Sequence, residues 1–374
     1  MQDRRAVIVG AGLGGLAAAI ALQGRGWQIT VVERAPALTE VGAGISLWPN
    51  AVRALDLLGV GDEVRSAGGI EAGAGFRDAR GRWLFRSELG AIEKRYGPTV
   101  MIRRPALLDI LRAAVPDDAL VLGTTVEDVH GLATIEYGGG RRTADLLVGA
   151  DGIRSTVRAR LWPDAKPPVY AGYTTWRFIT PPLGLTPEAS ESWGRGERVG
   201  IIPLADGSIY CYLSASTPAG LTYDDDLAEL RRRFGHWHDP IPAMLESITR
   251  ADILRHDIYQ LPPLRSYVAG RTVLLGDAAH AMTPDFGQGG GTALEDAVEL
   301  AEALEESHDL DLALRRYDAR RRHRTQTIAR QSGLFGTFAQ ASSRPAAALR
   351  NTVARLLPDG VMLRSLEPML TWHS

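Results

Sequence analysis

The stretch Ala6-Val7-Ile8-Val9-Gly10-Ala11-Gly12-Leu13-Gly14-Gly15 decides the fold, because a short apolar run leads through glycines into a helix-forming segment. A continuous apolar run is typical of a buried parallel strand, and the segment from Leu16 to Gln23 is rich in helix formers. The glycines follow the spacing G-x-G-x-x-G, which permits a tight turn and lets the backbone approach a pyrophosphate at the helix N-terminus. The stretch therefore predicts a Rossmann-like α/β domain that binds a dinucleotide.

An acidic residue follows the next predicted strand, which runs from Gln28 to Val32. Glu33 is placed to accept hydrogen bonds from the ribose hydroxyls of an adenine nucleotide. Its carboxylate would repel a 2′-phosphate, so this site favours an unphosphorylated ribose. The motif alone fits NAD and FAD equally.

A second glycine-rich block, from Leu275 to Gly291, favours a flavin. A predicted strand ends at Gly276, so Asp277 can accept hydrogen bonds from ribityl hydroxyls; the alternative is that Asp277 only caps a helix. The glycines after Pro284 leave room beside a flat ring, and a helix is predicted to begin at Thr292. Its N-terminal N–H groups and dipole would stabilise the negative charge that a reduced flavin carries on its N1–O2 edge. This block therefore predicts FAD.

Composition and charge exclude several other classes of protein. The chain has 42 basic and 44 acidic residues, so binding of nucleic acid through bulk charge is not expected. Neither Lys94 nor Lys166 follows a glycine, which excludes a P-loop, and no H-E-x-x-H or C-x-x-C pattern predicts a metal site. No apolar run approaches the ~18 residues of a membrane helix. The single cysteine, Cys211, favours the reducing cytoplasm.

The pattern along the chain predicts two domains. Predicted strands and helices alternate in 1–70, 98–168 and 264–374, which we assign to a discontinuous FAD-binding domain with C-terminal helices. Residues 71–97 hold Gly, Arg and Trp with no clear period, which suggests an excursion from the main sheet, and short β segments with turns dominate 169–263. We assign both ranges to a β-rich substrate-binding domain inserted into the first.

Three motifs and one loop resemble those of the FAD-dependent aromatic hydroxylases, the single-component flavoprotein monooxygenases with the p-hydroxybenzoate hydroxylase fold. Besides the two glycine-rich blocks, the segment from Asp151 to Arg158 matches the family's D-G-x-x-S-x-x-R motif. The loop from Val41 to Asn50 is similar to the family's loop beside the flavin. This resemblance implies a Rossmann-like FAD-binding domain with an inserted β-sheet domain.

The same resemblance implies an enzyme with non-covalent FAD, with NADPH or NADH as a transient electron donor and O₂ as co-substrate. The expected reaction is hydroxylation of an electron-rich aromatic or heteroaromatic small molecule through a flavin C4a-hydroperoxide. The cofactor supplies the difficult chemistry, and the protein supplies position, electrostatics and exclusion of water. A non-oxygenating FAD oxidoreductase on the same fold and a non-enzymatic nucleotide-binding module remain alternatives at this point.

Within the family, the chain is similar to the FAD-dependent urate hydroxylases and to the salicylate and hydroxybenzoate hydroxylases. In the urate enzymes an Arg, a Tyr twelve residues later and the Asp of a Pro-Asp pair line the substrate pocket, and Arg198, Tyr210 and Asp285 match them. The turn at Asp206-Gly207 predicts a hairpin that would carry Arg198 and Tyr210 to one face of a sheet. The resemblance thus implies these three residues as the catalytic pocket, and urate as one candidate substrate.

The FAD site is expected to include further residues that match the family's cofactor contacts. Ser46, and Arg104 at the start of a predicted helix, should lie beside the flavin. The full expected set is Gly10, Gly12, Leu13, Gly14, Gly15, Glu33, Arg34, Ser46, Arg104, Val126, Asp151, Asp277, Pro284, Gly287, Gln288, Gly289, Gly290 and Gly291.

Overall fold

The structure is a computed structural model that describes residues 4–38, 44–70, 73–88, 90–131, 133–356, 358 and 366–372. Its strands are β1 (Arg5–Val9), β2 (Gln28–Val32), β3 (Gly44–Leu47), β4 (Gly69–Ile70), β5 (Gly73–Asp78), β6 (Trp83–Glu88), β7 (Val100–Arg103), β8 (Leu120–Val121), β9 (Val126–His130), β10 (Thr134–Tyr137), β11 (Gly140–Thr143), β12 (Leu146–Gly149), β13 (Val169–Ile179), β14 (Ser190–Trp193), β15 (Glu197–Pro203), β16 (Ile209–Ser216), β17 (Leu254–Gln260), β18 (Val268–Ala269) and β19 (Thr272–Leu274). Its α-helices are α1 (Leu13–Gln23), α2 (Pro49–Leu57), α3 (Gly61–Ala67), α4 (Gly90–Tyr96), α5 (Arg104–Ala113), α6 (Thr156–Leu161), α7 (Asp226–Phe234), α8 (Ile241–Glu246), α9 (Asp277–His280), α10 (Gly289–Glu305), α11 (Leu310–Ala339) and α12 (Arg344–Leu356).

A six-stranded sheet with the order β18-β19-β12-β1-β2-β8 forms the centre of the first unit. β1 pairs in parallel with β2 and with β12, and β12 pairs in parallel with β19. Strands in the middle of a parallel sheet are covered on both faces, which explains why β1 and β12 are apolar and almost wholly buried. The predicted α/β fold is confirmed.

The glycine turn between β1 and α1 has the tight geometry that its sequence predicts. Gly10 has a φ of 102°, and a Cβ there would lie 2.5 Å from the carbonyl oxygen of Ala150. A Cβ at Gly15 would lie 1.9 Å from the carbonyl oxygen of Gly10, so no larger residue fits. Helix α1 begins at Leu13, three residues before the predicted start at Leu16.

A seven-stranded sheet with the order β17-β13-β16-β15-β14-β5-β6 forms the second unit. β5 and β6, which come from the segment 71–97, join it through the parallel pair of β5 with β14. One face of the sheet carries apolar side chains such as Trp176, Phe178 and Leu213, which pack with buried residues of α7 and α8. The other face carries polar and aromatic side chains, among them Tyr173, Arg198, Tyr210 and Tyr212, and we call it the polar sheet face.

Helix α11 joins the two units by contacts at both of its ends. Near its start, the Tyr317 hydroxyl donates to the carbonyl oxygen of Leu274 beside the first sheet. Near its end, Phe335 packs beside Trp193 of the second sheet, with ring centroids 6.3 Å apart. Among the described residues, no helix is both long enough and apolar enough to cross a membrane.

Buried ion pairs hold the second glycine block against α11. Asp296 of α10 accepts a hydrogen bond from the backbone N–H of Gly276 at 2.9 Å, and its carboxylate lies 2.6 Å from Arg321 Nε and 2.5 Å from His280 Nε2. Burial raises the pKa of Asp296, but His280 and Arg321 outweigh burial and hold this pKa below its usual range. Helix α10 begins at Gly289, which corrects the predicted start at Thr292: the glycines form the first turn of the helix.

Candidate active site

Glu33 organises the glycine turn at the end of β2. Its carboxylate accepts hydrogen bonds from the backbone N–H of Ala11 at 2.8 Å and of Ala35 at 2.9 Å. These bonds fix the exit of β2 beside the turn after β1. The predicted bonds from Glu33 to a ribose remain a prediction, and the half-buried carboxylate lies at the turn where the nucleotide is expected.

Two observations show that this turn fits the adenine nucleotide part of FAD. A Cβ added at Gly12 would meet no atom within 4 Å, so the N-terminus of α1 faces open space. Asp151 accepts hydrogen bonds from the N–H groups of Thr156 and Val157 through Oδ2, whereas its buried Oδ1 has no partner among the described residues. Burial raises the pKa of Asp151, against the opposing effect of these N–H groups. A buried acceptor without a partner is what a hydroxyl donor of a bound ligand would satisfy.

The glycines of the second block lie against β3 and against the residues that follow it. Gly287 has a φ of 63°, and a Cβ there would lie 3.3 Å from Trp48 Nε1. A Cβ at Gly290 would lie 2.9 Å from Ile45 Cδ1. The amide nitrogen of Asn50 donates to Gln288 Oε1 at 3.0 Å, which ties the two segments together. A Cβ at Gly289 would meet no described atom within 4 Å, so open space for the predicted flavin ring begins at this glycine. Residues 41–43 of the predicted loop lie outside the described residues.

The other predicted cofactor residues occupy varied environments. Ser46 lies on β3 and donates to Met101 Sδ at 2.8 Å, and Arg104 begins α5 directly after β7. Asp277 begins α9 and is exposed, as is Arg34 after β2. Val126 is 7% exposed and packs in the hydrophobic core around the six-stranded sheet, which leaves little of its side chain for a ligand. The roles of these residues toward FAD remain predictions.

The predicted hairpin is formed by β15 and β16, and it builds the polar sheet face. Arg198 pairs with Ser214, and Tyr210 pairs with Ile202. Because side chains alternate along a strand, Arg198, Tyr210 and Tyr212 all lie on this face. Ser214, which lies opposite Arg198, and Tyr210 are four positions apart on one strand. Tyr210 therefore lies ~13 Å along the face from Ser214.

Arg198 is buried among acceptors at the middle of the polar sheet face. The residue is 2% exposed, and its Nη2 lies 2.7 Å from Asp285 Oδ1. Its Nε donates to Gln340 Oε1 at 2.8 Å, and its Nη1 lies 3.5 Å from Glu191 Oε1. Burial lowers the pKa of Arg198, but the charges of Glu191 and Asp285 outweigh burial and raise this pKa above its ordinary value. The guanidinium is therefore permanently charged and already paired.

Asp285 lies in the short turn of residues 284–286 and has a fully buried side chain. The Tyr173 hydroxyl donates to its Oδ2 at 3.0 Å, and the Arg198 guanidinium carbon lies 5.2 Å from the centre of the Tyr173 ring. Burial and the charge of Asp285 raise the pKa of Tyr173, so its phenol stays protonated. A Cβ at Gly336 of α11 would lie 2.2 Å from Oδ2, so Asp285 needs a glycine at that position.

Tyr210 lies at the end of the polar sheet face that meets β3 and β7. It is 8% exposed and packs with Met101 and Leu204, and a Cβ at Gly44 would lie 2.7 Å from its ring. Burial raises the pKa of Tyr210, so its hydroxyl is a neutral donor. The structure thus brings Arg198 and Asp285 into contact and leaves Tyr210 farther along the same face. A common role of the three in one pocket remains a prediction.

A cavity of about 300 Å³ borders Asp285 and Tyr173. Its walls come from β13, β16, β17, the turn of Asp285 and the last turns of α11, and among the described residues that line it Asp285 is the one that carries a charge. The lining consists of Ala171, Gly172, Tyr173, Ser216, Gln260, Thr283, Asp285, Gly333, Gly336, Thr337, Gln340, Ala341 and Ser342. The described ranges contain no group of three or more His, Cys, Asp or Glu that could hold a metal ion.

Four residues of this site were not identified from the sequence: Tyr173, Glu191, Tyr212 and Gln340. The Tyr212 hydroxyl donates to Glu191 Oε2, and the indole N–H of Trp193 donates to Glu191 Oε1. The alternation of Tyr210 and Tyr212 about Cys211 could have indicated Tyr212, since both side chains share one face. Gln340 directly follows α11, and no sequence pattern around it indicates a role in this site.

Comparisons with known proteins identify the family and the fold. The family described as FAD binding domain matches residues 3–167 and 209–332. Aurachin C monooxygenase/isomerase of Stigmatella aurantiaca is 40% identical over 359 residues, with 94% of each chain covered. An FAD-dependent urate hydroxylase of Klebsiella pneumoniae is 34% identical over 337 residues, with 87% of each chain covered. The crystal structure of Klebsiella pneumoniae HpxO complexed with FAD and uric acid has a TM-score of 0.91 at 29% identity, covering 98% of this chain and 96% of that chain.

Proposed function

The chain belongs to the FAD binding domain family of flavin-dependent aromatic hydroxylases, and on that premise we propose that its substrate binds at the Arg198–Asp285 pair of the polar sheet face. The enzyme is an FAD-dependent monooxygenase that consumes NAD(P)H and hydroxylates an aromatic or heteroaromatic small molecule. The sequence predictions of family, fold, cofactor and reaction class are confirmed. The names of the relatives favour oxygenation over the non-oxygenating alternative.

The buried pair of Arg198 and Asp285 is the observation that carries the proposed substrate site. Asp285 stands two residues before Gly287, which packs against Trp48, and four residues before Gly289, where a Cβ would meet no described atom within 4 Å. Asp285 also lines the cavity, with its carboxylate just behind the wall. A ring bound against Asp285 would thus lie close to the glycines that fit a flavin. Titratable groups that combine burial with a specific charge partner are frequent at functional sites.

The residues of this site suit a substrate that donates hydrogen bonds. Asp285 can accept a bond from an N–H or O–H group of the ring, which draws the proton away and makes the ring more electron-rich. Tyr173 stays protonated and holds Asp285 through Oδ2, and Arg198 holds Oδ1. Tyr210 offers a neutral hydroxyl farther along the face. FAD, when bound, supplies the redox and oxygen chemistry, and the packed sheet and α11 exclude water from the reaction.

Urate is a second, narrower candidate for the substrate. Arg198, Tyr210 and Asp285 have the spacing described for the urate enzymes, and urate hydroxylases are among the relatives at 34% identity. A relative at 40% identity carries a different substrate in its name, so we propose the aromatic or heteroaromatic class and keep urate as one member to test.

We also propose that the enzyme works in the cytoplasm. Cys211 is the single cysteine of the chain and is buried in the core of the second sheet. Burial raises the pKa of its thiol, so it is kept as an unreactive apolar group. A protein without disulfides needs no oxidising compartment.

A substrate screen with a site variant tests the proposed function. FAD-loaded enzyme is mixed with NADPH or NADH and with phenols, benzoates, purines and quinolones, and nucleotide oxidation and product are measured. At least one ring should stimulate oxidation and be recovered with an added hydroxyl. Asp285→Asn should keep FAD and lose the stimulation, whereas Arg86→Gln, at an exposed position of the second sheet, should behave as wild type. Equal stimulation in Asp285→Asn and wild type would refute the proposed site.

A further inference from the structure

Three buried charges meet at the polar sheet face, and two of them are negative. Arg198 is 2% exposed, the Glu191 side chain is 9% exposed, and the Asp285 side chain is fully buried. Asp285 lies 2.7 Å from Arg198 Nη2, and Glu191 lies 3.5 Å from Nη1. The remaining nitrogen, Nε, donates to the neutral amide of Gln340. The positive charge of Arg198 is therefore balanced before any substrate arrives.

The carboxyl group of Glu191 acts as a hydrogen-bond acceptor through both of its oxygens. Oε1 accepts from the indole N–H of Trp193 at 2.5 Å and from Arg198 Nη1 at 3.5 Å, and Oε2 accepts from the Tyr212 hydroxyl. Indole and guanidinium N–H groups can only donate, so Oε1 must act as an acceptor. Burial and the charge of Glu191 raise the pKa of Tyr212, which keeps this phenol neutral. Tyr212 therefore adds no charge to the cluster.

Two other arginines lie near the cluster. Burial lowers the pKa of Arg350, and it is close enough to the cluster that the charge of Glu191 raises this pKa and the charge of Arg198 lowers it. Arg350 lies over the Trp193 ring, 5.2 Å from its centre, and its terminal nitrogens donate to the carbonyl oxygens of Ala339 and Gly194. Arg177 pairs across the sheet with Tyr212, and its Nη2 lies 3.0 Å from His256 Nδ1. Neither is recorded in contact with Asp285, and neither lines the cavity beside it. Asp285 lines the cavity with its carboxylate fully buried behind the wall, and among the described residues of the lining none is a cation.

We propose that Glu191 is a specificity-determining residue, which together with Asp285 balances the charge of Arg198 and so selects uncharged rings with N–H or O–H donors over rings that carry a carboxylate. The inference rests on the proposed substrate site. A carboxylate ring would find a guanidinium already paired with two carboxylates, and like charges at close range in a site of low dielectric repel strongly. An uncharged ring meets no such penalty and can donate to Asp285. The alternative to this proposal is that Arg177 binds the carboxylate of an anionic ring.

The test compares two rings that differ only by a carboxylate, 4-hydroxyquinoline and 4-hydroxyquinoline-2-carboxylate. Each is titrated into FAD-loaded enzyme, and the flavin absorbance change gives the dissociation constant. Wild type should bind the uncharged ring at least about tenfold more tightly, and Glu191→Gln should reduce that ratio by about tenfold, because one buried negative charge is removed. Glu188→Gln, an exposed carboxylate just before β14, is the matched control and should keep the wild-type ratio.

Two results of this titration would overturn the inference: equal or tighter binding of the carboxylate ring by wild type, or a ratio that stays unchanged in Glu191→Gln. The first outcome needs no variant, so it is decisive even where Glu191→Gln loses FAD or fails to fold. A failure of the proposed function looks different, because then no ring in the wider screen stimulates NAD(P)H oxidation. Stimulation by carboxylate rings in preference to uncharged ones would instead refute only the selection by Glu191.

Discussion

Replacing Gly336 by Ala should displace Asp285 and thereby impair the site without touching the cofactor. A Cβ at this position would lie 2.2 Å from Asp285 Oδ2 and 2.7 Å from its carboxyl carbon, well inside van der Waals contact. Asp285 cannot simply rotate away, because Arg198 and the Tyr173 hydroxyl hold both of its oxygens. The new methyl group must therefore break or distort these two contacts.

The magnitude follows from two opposing terms. Gly→Ala inside a helix stabilises by about 1 kcal/mol through lower backbone entropy and higher helix propensity. Removing one partner of a buried ion pair lowers the free energy of unfolding by about 3–5 kcal/mol. Overpacking alone lowers it by about 1–3 kcal/mol. We expect a net loss of about 1–3 kcal/mol in the free energy of unfolding. We also expect kcat/KM for the substrate to fall by at least about tenfold, which corresponds to ~1.4 kcal/mol of transition-state binding.

Gly333→Ala is the matched control, because it lies one helical turn earlier on the same helix. A Cβ there would lie 3.2 Å from Gln260 Oε1, the end of a flexible side chain that can move. This variant should be as stable as wild type or more stable, and because Gly333 lines the cavity without touching Asp285, its kcat/KM should fall less than that of Gly336→Ala. Thermal unfolding, FAD occupancy and steady-state kinetics of both variants make the comparison. A Gly336→Ala enzyme that matched Gly333→Ala in stability and in kcat/KM would refute the reasoning.

The remaining predictions concern the cofactor, the tyrosine and the hairpin. Glu33→Ala and Asp277→Ala should each weaken FAD binding by about 1–3 kcal/mol, measured by flavin fluorescence on dilution; wild-type affinity in both would contradict the predicted contacts. Tyr210→Phe should lower the hydroxylation rate and keep full FAD occupancy, and an unchanged rate would remove Tyr210 from the site. Hydrogen bonds from Ser208 and the charge of Arg103 outweigh burial and lower the pKa of Asp206 to about 2. The stability that Asp206 adds to the folded state is therefore fully present above the higher pKa it has when unfolded, and it is lost as the pH falls through about 2. Acid unfolding of Asp206→Asn should lack that component, and identical acid curves would refute it.

The glycine-rich segments were predictable because each one imposes a local backbone requirement. Gly10 and Gly15 are required by backbone atoms within 3 Å of the missing Cβ, and this requirement is independent of the rest of the fold. The hairpin of β15 and β16 was predictable for the same reason, since the Asp206-Gly207 turn and the strand alternation are local. The predicted start of α10 at Thr292 was wrong because glycines are poor helix formers, and contacts of Asn50 and Glu295 override that tendency here.

The chemistry around Arg198 could not be predicted from local patterns. Glu191 and Tyr212 reach it from neighbouring strands, and Gln340 reaches it from 142 residues away in the sequence. Only the register of the sheet and the docking of α11 bring these side chains together. The sequence therefore identified Arg198 and Asp285 through family resemblance, whereas the balance of charges around them is visible only in the structure. The domain boundaries and the individual FAD contacts remain predictions.

Oxygen labelling tests the central claim most directly. FAD-loaded enzyme is supplied with NAD(P)H, with ¹⁸O₂ and with the aromatic ring that most stimulates nucleotide oxidation, and the product is analysed by mass spectrometry. The account predicts that one ¹⁸O atom enters the ring for each NAD(P)H oxidised, and that Asp285→Asn loses this incorporation while it retains FAD. Oxidation of NAD(P)H that yields only hydrogen peroxide with every ring tested, and no labelled product, would contradict the account.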